Sequence, residues 1–177
     1  MAQVQGRSAV ALRRPLASKK LEVIAEPDKP TIVTRRVLDA PRALVFDAWT
    51  NPEHLRRWLG HRALTWAVCE IDLRVGGGYR WVQRAPDGRE YAFHGAYREI
   101  VRPEKIVSTF VFEAMPDDEA LETLTLEERD GKTAVTTLTV HKTIKARDGH
   151  LASGRMEAGM TEGYERLDEL LAALWAS

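Results

Sequence analysis

The stretch DAPRALVFDAWTNPEHLRRWLG, residues 39–60, decides the fold, because it packs a strand exit, two helices and two tryptophans into one short segment. Asp39 stands two residues before Pro41, which suits a helix entry: a short acceptor near the N-cap and a residue of preset φ in the first turn. Leu44, Val45, Ala48 and Trp49 then fall at i, i+1, i+4 and i+5, one apolar stripe of a helix. Asn51-Pro52 breaks that helix. Asn51 can cap a second one with Pro52 at its first position, and Leu55, Trp58 and Leu59 would form its buried face. Gly60 ends it.

Upstream, Thr31 to Leu38 (TIVTRRVL) is rich in β-branched residues and predicts a full strand. Residues 1–29 are expected to be a flexible basic tail, within which Leu21 to Ile24 offers a short edge strand, and residues 30–177 the folded domain. Downstream of residue 63 the period changes from helical to alternating. Leu64–Leu73, Tyr79–Arg84, Tyr91–Val101, Lys105–Met115, Leu121–Glu128 and Thr133–Lys142 are predicted strands. They are separated by breakers such as Gly76-Gly77-Gly78, Pro86-Asp87-Gly88 and Asp130-Gly131. Such close spacing predicts antiparallel hairpins. A last helix is predicted from Leu151 to Leu174, where Met156, Met160, Tyr164, Leu167, Leu171 and Leu174 recur at three or four residues. Gly159 and Gly163 interrupt its propensity and predict either a close approach of helix to strand or room left for something else. The order predicts an α+β domain, a curved sheet of six or seven strands whose concave face is covered by the long terminal helix.

Charge narrows the function classes. The chain has 26 basic and 26 acidic residues, but residues 1–20 carry five basic residues and no acid. The remainder is net acidic, which disfavours nucleic acid as a partner, since phosphate binding needs a basic face. No run of eighteen apolar residues predicts a membrane span, and the N-terminus lacks the apolar core of a secretory signal. A cytoplasmic location is the resulting expectation. The single cysteine, Cys69, excludes an internal disulfide and a multi-cysteine zinc site, and its apolar neighbours predict a buried structural thiol. The five histidines show no metal-ligand spacing, so neither a metal nor another cofactor is expected.

Five motifs in order carry a resemblance: residues 39–60, CEIDLRVGGGYRWV at 69–82, DGREYAFHGAYREIVRPEKIV at 87–107, ERDGKTAVTTLTV at 128–140 and GMTEGYERLDELL at 159–171. Together they resemble the SRPBCC (START-like) superfamily, more narrowly the bacterial branch named after the activator of Hsp90 ATPase homologue 1. The resemblance covers roughly residues 31–174 and implies a helix-grip fold. What it implies about function is broader, because the superfamily hosts lipid and hormone carriers, cyclases and co-chaperone domains on one scaffold.

The expected function is non-enzymatic: a carrier or sensor of a small hydrophobic molecule held between sheet and terminal helix, in a monomer or homodimer. Alternation puts Tyr79 with Trp81, and Ser108 with Phe110 and Phe112, on the faces that would line the cavity. Met156, Met160 and Tyr164 would face them from the helix, and Trp49 or Trp66 would close one end. Aromatic and methionine side chains suit an apolar ligand. The alternative is that they only fill a core. A second class is a protein-interaction module with a chaperone as partner. A third is a cyclase-like or hydratase-like enzyme using Asp72, Glu99 or His94, although no catalytic constellation is evident. Asp72 and Arg74 are more simply braces of the glycine turn. The acid-rich run from Glu113 to Asp130 is expected to be a solvated hairpin face.

Overall fold

The computed structural model describes residues 18–152 and 155–177. The run Thr31–Leu38 forms strand β2, but its main partner lies far along the chain: Thr31 pairs with Val140 and Leu38 with Thr133 of strand β8, Lys132–Val140. Between them come helices α1 (Arg42–Thr50) and α2 (Pro52–Trp58), then β3 (Thr65–Ile71), β4 (Gly78–Arg84), β5 (Glu90–Val101), β6 (Lys105–Phe112) and β7 (Ala120–Arg129). These strands follow the alternating segments and pair as successive antiparallel hairpins. With β1 (Glu22–Ile24) on the edge, the sheet has eight strands in the order β1-β2-β8-β7-β6-β5-β4-β3. Helices α3 (Ile144–Ala152) and α4 (Arg155–Trp175) follow. Register shifts at Trp66/Val68 and Tyr97/Glu99 mark bulges, which sharpen the local twist and help the sheet curve. This is the expected helix-grip architecture.

Four details differ from the sequence expectation. The ordered fold reaches back into the predicted tail. Glu22–Ile24 pairs with β2, the Val37 amide donates to the Ser18 carbonyl, and Leu21 packs on the core. The remainder of that expected tail, residues 1–17, lies outside the described residues. The predicted terminal helix is two helices. Thr143 accepts from the Ala146 amide and so caps α3, which begins seven residues before the expected start. Buried Arg147 of α3 donates to the carbonyls of Glu26 and Lys29, pinning the turn that precedes β2.

Pro41, not Asp39, occupies the α1 N-cap, where no side chain caps the helix. Asp39 instead pairs with Lys19 and Lys132, and the hydrogen bond from Lys19 holds its carboxyl below the usual range. Asn51 does cap α2, its side chain accepting from the Glu53 amide at 3.0 Å. The α4 glycines make room for α2 and the loop after it rather than for a strand. A Cβ on Gly163 would lie 3.2 Å from the Trp58 carbonyl oxygen, and one on Gly159 would lie 3.0 Å from the His61 ring.

The core forms where α1, α2 and α4 meet the concave face. Val45, Phe46, Leu55 and Trp58 pack with Leu167, Leu170 and Leu171 against Leu38, Ile106, Leu124, Leu126 and Val135. Burying a side chain of this size stabilises by about 1.5–3 kcal/mol. No helix among the described residues is long and apolar enough to cross a membrane.

Candidate functional site

Strand register decides which side chains share the concave face. Tyr79, Trp81 and Gln83 of β4 pair with Gly95, Phe93 and Tyr91 of β5, and Phe93 pairs in turn with Phe112 of β6. Farther along β6, Phe110 faces Ala120 and Ser108 faces Glu122 of β7, which faces Thr139 of β8. Side chains of paired residues point to the same side. The face is therefore aromatic on β4–β6 and polar where β6, β7 and β8 meet.

The nine predicted ligand-contacting residues fall into two groups. Four have packing partners that account for them. Trp49 lies 4.4 Å from Trp58 and 6.1 Å from Tyr164, ring centroid to centroid, in the cluster joining α1, α2 and α4. Tyr164 is buried, and the Arg36 guanidinium sits 5.0 Å above its ring. Trp66 donates its indole N–H to the Arg56 carbonyl at 3.0 Å, tying β3 to α2. Tyr79 lies across β5 and donates to the Thr109 carbonyl on β6 at 2.8 Å. Gly95 permits this crossing, because a Cβ there would meet Tyr79 at 2.6 Å and the Thr109 oxygen at 1.9 Å.

Of the other five, Trp81 stacks on Tyr79 at 4.3 Å and, like Met160, packs against the core cluster, whereas Phe110, Phe112 and Met156 are partly exposed and lie outside it. Phe93, which sequence reasoning left out of the candidate set, joins Phe110 and Phe112: its centroid lies 5.6 Å from the first and 5.1 Å from the second, both stacked. His150 of α3 stacks on Phe110 at 5.8 Å and places its Nδ1 3.3 Å from His141 Nε2. This strip is separate from the main core cluster, which includes none of Phe93, Phe110 and Phe112. Desolvation and the neighbouring His141 push the His150 pKa down to about 4, and desolvation also lowers that of His141. Burial thus disfavours the charged form of both imidazoles. The Trp81 indole N–H is buried without a hydrogen-bond partner among the described residues.

Beside this strip stands a carboxylate that the sequence reading placed on a solvated face. Ser108, Thr139, Ala120 and Leu124 around it are all buried. Glu122 projects among them, keeps some accessible surface, and is strongly desolvated, which raises its pKa. Its hydrogen bond among the described residues is a long one accepted from Thr139 Oγ1, at 3.3 Å. Its charge is felt by the Tyr79 and Tyr164 hydroxyls, whose pKa values rise mainly through burial and further through Glu122. Arg36, the cation on the same face of β2, is committed to Asp168 and to the Lys19 carbonyl. Alternation could have found Glu122, since it shares the phase of Leu124 and Leu126.

The three residues considered for acid–base work are exposed and paired elsewhere. Asp72 holds Arg74 at 2.9 Å, Glu99 accepts from Lys105 at 2.9 Å, and His94 meets Glu113 at 3.1 Å. Arg80 also binds Glu113, and that hydrogen bond is the main reason its pKa falls to about 2. Cys69 is buried, and burial pushes its thiol up. Two surface concavities, one along Glu157, Thr161, Glu162 and Glu165 and one between Lys19, Arg36 and Asp168, lie away from the aromatic strip. Both are edged by charged side chains, which makes them poor seats for an apolar molecule.

Comparison with known proteins agrees with this architecture. No curated protein matches the chain. Among solved structures, a protein from Rhodobacter sphaeroides is 27% identical, with a TM-score of 0.78 over 88% of this chain and 99% of that one. A protein from Nitrosomonas europaea is 25% identical, with a TM-score of 0.75 over 87% and 100%. One from Chromobacterium violaceum is 29% identical, with a TM-score of 0.68 over 80% and 96%. The model of the family described as "Activator of Hsp90 ATPase homolog 1-like protein" matches residues 39–172. The chain therefore belongs to the activator of Hsp90 ATPase homolog 1-like family, with the helix-grip fold of its SRPBCC relatives.

Proposed function

We propose that this protein is a non-enzymatic carrier or sensor that binds a small, mostly apolar molecule on the concave face, between the aromatic strip of β5–β6 and the helices α3 and α4. The observation that carries this reading is the position of Phe93, Phe110 and Phe112. They face inward on the sheet, stay partly accessible, and lie outside the core cluster that stabilises the fold. Stacked rings of this kind offer a flat ligand large contact area at low entropic cost. Trp81, Met156 and Met160 are assigned to the margin of this surface, the first and last of them also packing on the core, whereas Trp49, Trp66, Tyr79 and Tyr164 support it. A ligand seats by parting His150 from Phe110. The exposed, ion-paired states of Asp72, Glu99 and His94 leave the enzymatic alternative without its candidate residues.

The neutral fluorophore N-phenyl-1-naphthylamine tests the site. Its emission is expected to rise on binding, and the double variant Phe110→Ala/Phe112→Ala to weaken the affinity about tenfold or more. Trp66→Phe should leave it unchanged. Absence of binding by this probe and by a panel of neutral aromatic compounds in thermal-shift and calorimetric titrations overturns the reading. The family match favours a second reading, contact with an Hsp90-type chaperone. Unchanged ATPase rates of such a chaperone, with no complex on co-purification, reject it.

A further inference from the structure

We infer that the site is selective for hydrophobic amines: Glu122 is the head-group receptor, and the Phe93–Phe110–Phe112 strip holds the apolar body. This rests on the ligand-binding reading above and adds to it the polarity of the ligand. Glu122 and Phe110 are diagonal neighbours on one face, because Phe110 pairs with Ala120 and Ser108 with Glu122. A molecule lying on the rings therefore brings a terminal group within reach of the carboxyl.

What surrounds that carboxyl sets the sign of the preference. Ser108, Thr139 and the Tyr79 hydroxyl lie around it, and the Tyr79 proton is already donated to Thr109. Among the described residues, no lysine, arginine or histidine forms an ion pair with Glu122. Arg36 pairs through Nη2 with Asp168, with its buried Nη1 left without a partner among the described residues, and burial disfavours the charged forms of both His141 and His150.

A carboxyl set among buried side chains, with one long hydrogen bond, has lost much of its water and gained little in return, so folding has already met most of the cost of desolvating it. An ammonium group placed beside it restores both charge balance and strong hydrogen bonds. A hydroxyl supplies one neutral hydrogen bond. A carboxylate head placed beside Glu122 would give up its own hydration to face a second acid, and is rejected.

Three ligands of one shape separate the possibilities: 2-naphthylmethylamine, 2-naphthylmethanol and 2-naphthoic acid, titrated calorimetrically into the full chain at pH 7.5. The amine is expected to bind about tenfold or more tightly than the alcohol, with the acid weakest. In Glu122→Gln the amine should fall to within about twofold of the alcohol, while the alcohol keeps its wild-type affinity. The alcohol serves as the folding and site-integrity control. If all three bind equally, or the acid binds best, the amine preference is overturned and the ligand-binding reading survives. If none binds, the ligand-binding reading itself fails.

Discussion

The concave face has two ends built from similar residues that do different work. At the α2 end, Trp49, Trp58 and Tyr164 lock against Leu167 and Leu171 in the main core cluster, with the Arg36 guanidinium over the Tyr164 ring. At the α3 end, Phe93 stacks on Phe110 and Phe112, and Phe110 on His150, yet all three phenylalanines remain partly accessible, with Glu122 alongside. The first end holds the fold together. The second carries features that reduce stability: partly accessible rings, two imidazoles whose charged forms burial disfavours, and a poorly satisfied carboxyl. Aromatic content alone therefore does not mark a binding site; accessibility and an unmet polar group distinguish one end from the other.

The contrast is open to measurement. Leu167→Ala, at a fully buried position of the first end, should lose about 2–5 kcal/mol in urea unfolding. A loss below about 1 kcal/mol would mean that this end is not the core. The histidine pair gives the next effect. The folded pKa of His150, about 4, lies below its unfolded value of 6.5. Stability is then full above about pH 6.5 and falls as pH drops toward 4, by on the order of 2–3 kcal/mol from this residue. His150→Phe should flatten that slope in unfolding midpoints compared between pH 7.5 and 5.

Glu122 acts with the opposite sign. Because folding raises its pKa above 4.5, its contribution is fully present below about pH 4.5 and is lost as pH rises through the folded value. Glu122→Gln should therefore stabilise the protein at pH 8, by on the order of 1 kcal/mol, and make little difference at pH 4. A destabilised Gln variant at pH 8 would assign Glu122 a structural role. The smallest stability change is expected for Phe112→Ala, about 1 kcal/mol or less, since the ring is only partly buried. A loss as large as that of Leu167→Ala would erase the difference between the ends.

Much of the fold was legible in the sequence, because the signals were local and periodic. The six alternating segments all became strands, and Asn51-Pro52 capped a helix. The stripe from Met156 to Leu174 identified the long helix and its buried face. The edge strand β1 and helix α3 were harder to read, since each depends on distant partners: β1 on β2, and both on the Arg147 contacts with the Glu26–Lys29 turn. The candidate site was half legible. Alternation identified which aromatic residues share a face, but not which of them the helices would cover. Glu122 was hidden by its neighbours, because the seven other acids from Glu113 to Asp130 made the run look uniformly solvated.

The pairing of β2 with β8 has a consequence for how the chain is made. Thr34 and Thr137, whose hydroxyls meet across these strands, are 103 residues apart. Strand β2 leaves the ribosome early, yet the edge it needs is complete only after Val140 has been added. At about 5–20 residues per second, that leaves it without its partner for on the order of 5–20 s. During that interval a β-branched, half-apolar strand is open to pairing with the wrong edge. The two arginines in its middle, Arg35 and Arg36, discourage such pairing by keeping charge on both of its faces.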